Sequence, residues 1–427
     1  MTSATTKYLT LTLILALVTG LVGTIYQNNQ IKTSLTNAQR KNKETHLELS
    51  HLTDSYDQLS EHLLDLKNSN AELESRINEI EQAENTPPII EKPDIVLEIL
   101  SEGNVKNVIL LIGDGMGPGQ ITAAELMNGE EPLTLMSLPY MSMVTTYSSS
   151  NYVTDSAASA TALATGSKTN NGMISMTPSG EILKTVIEIA EERSMATGIV
   201  TNTRVTHATP AAFMAHVNDR NSEAAIAQQV VESKVDVVLG GGSIYFKDLD
   251  LTAAGYTVVD TTNEFLAINS IMVFGLFATD YMSYDSIRDP EIEPSLAEMT
   301  RKSIELLSID PDGFFLMVEG GHIDHASHAN DFENTLSEVY AFDSAVLEAL
   351  VYASGRNDTL IIVTADHETG GLLLTGGYSG GQIQYSWISD DHTASMVPVL
   401  TYGPKSEEVL GFSDNSDIGS FLIDIIQ

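Results

Sequence analysis

Phe314-Phe-Leu-Met-Val318, running without a break into Glu319-Gly-Gly-His-Ile-Asp-His-Ala-Ser-His328, is the stretch on which the reading of this chain turns. Five consecutive apolar residues lack the alternation of a half-solvated strand and are too short a run for a helix, so they read as a strand buried on both faces. Its exit has the opposite character, with Glu319, Asp324, His322, His325 and His328 within ten positions. Carboxylates crowded together repel one another, and a cation relieves that repulsion. Carboxylate with imidazole suits zinc, whereas an all-oxygen set of Asp, Glu, hydroxyl and water suits magnesium. A merely charged surface loop is the plainer alternative.

Two further apolar runs end in the same way. Val108-Ile-Leu-Leu-Ile112 leads to Gly113-Asp-Gly-Met-Gly117, and Leu360-Ile-Ile-Val363 leads to Thr364-Ala-Asp-His-Glu368. Taken singly, the Gly-Asp-Gly segment is also compatible with a turn and a solvated Asp. Together with an apolar run over 235–239, these segments alternate with helical patterns over 157–164, 182–193, 295–307 and 332–351. That rhythm predicts an α/β fold with a mainly parallel central sheet and helices on both faces. In such sheets ligands bind beyond the carboxyl ends of the strands, where the acidic and histidine-rich segments fall. Val153-Thr-Asp-Ser156 runs straight into an Ala-rich helix, which puts Ser156 at a helix N-terminus, where backbone N–H groups favour an alkoxide and an incoming phosphate. Read alone, the same residues serve equally as an ordinary helix cap.

The chain around these segments has 427 residues, 42% of them apolar, enough for one large α/β domain with appendages. Its formal net charge of −37 excludes non-specific binding to nucleic-acid phosphate or anionic lipid. Residues 1–94 hold 8 Lys/Arg and 13 Asp/Glu, and the remaining 13 and 45 belong to residues 95–427, so the excess acid lies on the globular part. With no cysteine there is no disulfide, no thiolate nucleophile and no Cys-ligated metal, which leaves His and carboxylates as ligands.

Upstream, residues 9–26 are uncharged and rich in Leu, Ile and Val, and follow Lys7. No A-x-A-like cleavage site follows, so residues 1–26 read as an uncleaved signal-anchor, a transmembrane helix at the short end of a bilayer span. Apolar residues then recur at 3,4 spacing through Ile31, Leu35, Leu49, Leu52, Leu59, Leu63, Leu66 and Leu73, with Asn28, Asn42 and Asn70 at a positions, so residues 27–84 read as a parallel, two-stranded coiled coil. A single amphipathic helix on the domain surface would show a broader apolar face. Pro87, Pro88 and Pro93 make residues 85–94 a stiff linker, and residues 95–427 form the globular domain. This organisation predicts a membrane-anchored homodimer whose domain is periplasmic or extracellular.

The segments taken together resemble the alkaline phosphatases. The likeness runs over residues 103–427 through Gly113-Asp-Gly-Met-Gly, Thr154-Asp-Ser-Ala-Ala-Ser-Ala-Thr-Ala, Thr206-His-Ala-Thr-Pro-Ala, Val318-Glu-Gly-Gly-His-Ile-Asp-His-Ala-Ser-His, Thr364-Ala-Asp-His-Glu and Asp391-His-Thr-Ala. The resemblance implies a two-zinc, one-magnesium site. Asp324, His328 and His392 would hold one zinc, Asp114, Asp366 and His367 the second, and Asp114, Thr209 and Glu319 the magnesium. Arg220 matches the family's phosphate-clamping arginine, with Asp155 holding its guanidinium. His207 and His325 match positions that vary in the family and, by the same likeness, lie just outside the ligands. The implied reaction is in-line attack of Ser156 on a phosphate monoester and hydrolysis of the resulting phosphoserine. Two metals about 4 Å apart would stabilise the entering and leaving oxygens.

The chain departs from the family where only 24 residues separate His367 from His392, without the large insertion of many relatives. That implies a more open pocket and leaves the usual subunit contact in question. A sulfatase is disfavoured because Ala160, and not a basic residue, stands four positions after Ser156. A phosphodiesterase of the same superfamily is the nearest enzymatic alternative. An inactive head on a membrane-tethered adhesion stalk is the alternative from another class.

Overall fold

The strand predicted at 314–318 occupies the middle of a nine-stranded sheet and extends to Gly320. The computed structural model describes residues 19–24, 27–43, 97, 103–129, 131–378 and 383–427. The chain divides into two units, Met1–Glu91 and Lys92–Gln427.

In the first unit, residues 19–24 and 27–43 are helical and exposed, with Ile31 64% and Leu35 58% accessible. The rest of the predicted anchor, the heptads after residue 43 and the linker at 85–94 lie outside the described residues. Among the described residues, no helix is long and apolar enough to cross a membrane.

The strands of the second unit are β1 (Asn107–Gly113), β2 (Tyr140–Val144), β3 (Ala196–Arg204), β4 (Val237–Gly241), β5 (Thr257–Val259), β6 (Val273–Leu276), β7 (Phe314–Gly320), β8 (Thr359–Thr364), β9 (Glu368–Thr369), β10 (Leu373–Gly376), β11 (Gln384–Ser386), β12 (His392–Thr393) and β13 (Val397–Tyr402). The main sheet runs β2-β13-β8-β1-β7-β3-β4-β6-β5. Its pairings are parallel except that β13 lies antiparallel to both β8 and β2.

Every residue of β1, β7 and β8 is buried, as continuous apolar runs demand of strands covered on both sides. Successive side chains on β7 meet different helices, because strand side chains alternate between faces. Phe314 lies 5.8 Å from Tyr352 of the helix Phe332–Ala353, and Phe315 stacks at 6.3 Å on Phe213 of the helix Ala208–Met214. Helices therefore cover both faces, as predicted.

One predicted boundary needs correction. The helical pattern over 182–193 begins only at Val186, because Thr185 and Glu188 form a capping box that starts the helix there. Ile182 instead bridges Met176 as extended chain and is 67% exposed.

Candidate active site

The carboxyl ends of the neighbouring strands β8, β1, β7 and β3 open on one side of the sheet, and residues at or just beyond each of those ends assemble the site. Asp114 comes directly after β1, Glu319 is the penultimate residue of β7, and Asp366 and His367 come after β8. The short helix His322–His328 carries Asp324, His325 and His328 on from β7. His207 and Thr209 stand at the start of the helix Ala208–Met214 after β3. His392 arrives on β12, which pairs antiparallel with β9.

Three sets of side chains converge there. The ligand atoms of Asp324, His328 and His392 lie within 4.8 Å of one another, as do those of Asp114, Asp366 and His367, and those of Asp114, His207 and Glu319. Thr209 Oγ1 donates to Asp114 Oδ2 at 3.3 Å, which brings the threonine to the third set. Asp114 belongs to two sets, so one carboxylate joins the groups on either side of it.

Ser156 opens the helix Ser156–Thr165, and its Oγ lies 3.2 Å from His367 Nε2. Asp155 caps that helix through Oδ1, which accepts from Ala158 N–H at 3.0 Å. Its Oδ2 accepts from Gly172 N–H at 3.0 Å and from Arg220 Nη1 at 3.1 Å. The residue before the serine thus fixes both the helix start and the guanidinium. Arg220 Nη2 also lies 3.1 Å from His207 Nε2.

The donor chemistry fits cations. His328 Nδ1 lies 2.7 Å from the carbonyl of Asp390, and His392 Nδ1 lies 2.9 Å from that of Thr154. A carbonyl only accepts, so each Nδ1 carries its proton and each Nε2 of a neutral ring presents a bare lone pair. Those two Nε2 atoms face each other at 3.0 Å, 3.4 and 3.6 Å from Asp324 Oδ1. Lone pairs so aimed repel until a cation accepts them. Asp114 Oδ1, Asp366 Oδ2 and Glu319 Oε1 are buried with no hydrogen-bond partner, which leaves three further acceptor atoms for a metal.

Electrostatics follow from burial and crowding. Burial, with Asp366, Asp324 and Glu319 nearby, holds the Asp114 carboxyl well above its ordinary range. Glu319 is pushed up to about 7 by burial, with Asp366 adding to it, although Thr201 and Thr203 donate to it. Burial opposes ionisation of Asp324 too, but the imidazoles of His367, His392 and His328 outweigh it and hold that carboxyl low. His392 is held down to about 4 by burial and by His367, which keeps its ring neutral.

A family model described as alkaline phosphatase matches residues 105–386. The chain belongs to the alkaline phosphatase family. It is 39% identical to alkaline phosphatase 3 of Bacillus subtilis over 68% of this chain and 66% of that one, so it spans about two thirds of that relative. It is 32% identical to the alkaline phosphatase of Escherichia coli over 75% of this chain and 85% of the other. The solved alkaline phosphatase of the Antarctic bacterium TAB5 superposes with a TM-score of 0.71 at 35% identity, over 76% of this chain and 98% of that one. Membership places the chain among the enzymes, as a phosphoric monoester hydrolase.

Within this alkaline phosphatase fold, the thirteen residues singled out by sequence gather around one centre, with one difference of detail. His207 reaches Asp114 and Glu319 as closely as a ligand would, although the family likeness had put it outside the ligands. His325, which the likeness also put outside the ligands, joins no ligand set among the described residues and packs edge-on against Tyr281 at 4.5 Å between ring centres. Several neighbours escaped the sequence reading. Thr201 and Thr203 donate to Glu319, Thr369 Oγ1 donates to Asp324 Oδ1 at 2.5 Å, and Ser159 Oγ donates to the carbonyl of Asp366 at 2.6 Å. The alternate threonines at the end of β3 were the available signal, since period-two hydroxyls at a strand exit share one face.

Proposed function

We propose that the enzyme hydrolyses phosphate monoesters to an alcohol and inorganic phosphate through a phosphoserine at Ser156. The observation that carries this reading is the position of Ser156 Oγ at a helix N-terminus, 3.2 Å from His367 Nε2, with Asp155 tying that helix start to Arg220. Asp324, His328 and His392 would hold one zinc, Asp114, Asp366 and His367 a second, and Asp114, Thr209 and Glu319 a magnesium, with His207 and His325 beside them. Bound there, the metals would supply Lewis-acid stabilisation of the entering and leaving oxygens and lower the pKa of water.

The chain's own groups account for the rest. The planar guanidinium of Arg220 binds two phosphate oxygens, and Asp155 keeps it aimed. The N–H groups at the start of the helix Ser156–Thr165 and its dipole stabilise negative charge on Ser156 Oγ and on the phosphate. Oγ attacks phosphorus as the ester oxygen leaves as the alcohol. Water then breaks the serine–phosphorus bond, restoring the hydroxyl and releasing phosphate.

Acid trapping of labelled phosphate on the wild type and on Ser156→Ala tests the nucleophile, and label retained on the Ala variant would overturn it. Rates on a mono- and a diester of one phenol, before and after chelation and zinc restoration, separate this reading from a phosphodiesterase.

We infer further that residues 1–26 tether the enzyme to a membrane, with its domain periplasmic or extracellular, and that residues 27–84 pair two chains in parallel. The exposed Ile31 and Leu35 on the helix over 27–43 support that pairing. Light scattering on chains starting at Gln27 and at Ile95 decides it: a monomer from Gln27 refutes the coiled coil.

A further inference from the structure

Glu368 is 3% exposed. Three donors meet its carboxylate. Thr393 Oγ1 donates to Oε2, Gln120 Nε2 to Oε1 at 3.2 Å, and Leu372 N–H to Oε1 at 3.3 Å. Gln120 Nε2 also reaches the carbonyl of Thr369 at 2.6 Å. Burying a carboxylate costs free energy unless its oxygens accept hydrogen bonds, and both oxygens of Glu368 do.

Those donors come from different limbs of the site. Gln120 stands on the helix Pro118–Met127, which follows the Asp114 turn. That turn is packed onto Glu368, since a Cβ on Gly117 would come within 2.1 Å of Glu368 Cγ. Thr393 is the neighbour of His392. The strand β12 carrying both is two residues long, and its ladder consists of His392 opposite Thr369 and Thr393 opposite Glu368. Between β9 and β12 the chain goes out through the exposed pair β10 and β11, and on its return His392 is held, besides this ladder, by its own Nδ1 bond to the Thr154 carbonyl and by Gly370 N–H, which donates to the Asp391 carbonyl at 3.0 Å.

We propose that Glu368 is a positioning residue for the metal centre, and that its bond from the Thr393 hydroxyl sets where His392 presents Nε2 to the cation it would share with Asp324 and His328. The inference rests on the metal-site reading above and deepens it. A carboxylate suits the task better than an amide because it only accepts, so the Thr393 hydroxyl can meet it only as a donor. Losing such a support behind a ligand costs about 10- to 100-fold in metal affinity.

The test is a zinc titration of the metal-depleted full chain against a competing chelator, with circular dichroism of each metal-free protein. Thr393→Val keeps the side-chain shape without the hydroxyl and should weaken one of two zinc equivalents by about 10- to 100-fold, leaving the other in place. Thr393→Ser should bind both as the wild type does. Glu368→Gln should weaken the same equivalent, and it decides the matter if the Val variant loses its metal-free fold. Two zincs bound by Thr393→Val as tightly as by the wild type, or both weakened alike, would overturn the inference. A wild type that takes up no zinc would instead overturn the reading of the site.

Discussion

Asp155 serves two partners with its two oxygens, and separating them gives a sharp test. In Asp155→Ala the helix Ser156–Thr165 loses the acceptor for Ala158 N–H, a cap loss of about 1 kcal/mol. The same change removes the 3.1 Å ion pair to Arg220, whose side chain is 23% exposed. A freed arginine regains up to about 2 kcal/mol of rotamer entropy, which phosphate must then remove on binding. The remaining contact of Nη2 with His207 retains part of that order. A net loss of about 1.4 kcal/mol corresponds to about tenfold. The inhibition constant for inorganic phosphate and KM for a monoester should therefore rise together about tenfold, with kcat within a few-fold of the wild type. Asp155→Asn retains an Oδ1 acceptor for the cap but turns an amide N–H₂ toward Gly172 N–H and Arg220. It should match the Ala variant in phosphate inhibition while melting closer to the wild type. Competitive inhibition assays and thermal melts measure the two effects. Phosphate inhibition unchanged in both variants would refute the claim that Asp155 aims Arg220.

Elemental analysis of Asp324→Ala and His392→Ala should each show the loss of about one zinc, whereas Glu319→Ala should mainly weaken magnesium, since oxygen-only surroundings select the harder ion; equal zinc loss from all three would contradict the grouping. Gly419→Ala should lower the melting point by the equivalent of about 3 kcal/mol, because its Cβ would come within 2.2 Å of the Ala162 carbonyl and 2.5 Å of Gly166 N, both backbone atoms. Glu191 is pushed up to about 7 by burial, with Asp236 and Glu188 adding to it, and its Oε1 has no hydrogen-bond partner. A folded-state pKa above the unfolded one means stability present at low pH that is lost as pH rises through about 7. Glu191→Gln should thus leave the melting point unchanged below pH 4.5, raise it increasingly between pH 4.5 and about 7, and keep that rise above pH 7; no rise at pH 8 would contradict this.

Strand exits carried most of what could be read in advance. The runs at 108–112, 314–318 and 360–363 announced β1, β7 and β8, because strands covered on both faces must be apolar throughout. The central strand β3 announced itself poorly: Thr197, Gly198, Thr201 and Thr203 interrupt its apolar residues, although all four are buried. Gly198 is needed where Leu307 and Leu316 close in, and Thr201 and Thr203 are spent on Glu319, so packing and site chemistry override the strand pattern. The residue types at the centre were legible, but their division into sets was not, since it depends on which strands are neighbours. Resemblance supplied that division; the structure brings Asp324 together with His328 and His392, Asp114 with Asp366 and His367, and Asp114 with His207 and Glu319.

Strand β1 is the first of the sheet to leave the ribosome, yet its place is between β7 and β8. Asn107 at its start hydrogen-bonds Thr359, 252 residues further along the chain. Until those late segments exist, β1 has neither of its neighbours and Asp114 lacks every partner from beyond the middle of the chain. Closing a loop of that length is an entropic cost met before any contact rewards it, and non-local pairings of this kind slow folding. The set of Asp114, Asp366 and His367 can be complete only once β8 and the residues after it have docked beside β1. Metal added during refolding should consequently act on the final step, speeding the return of activity without changing the early rise of helical signal.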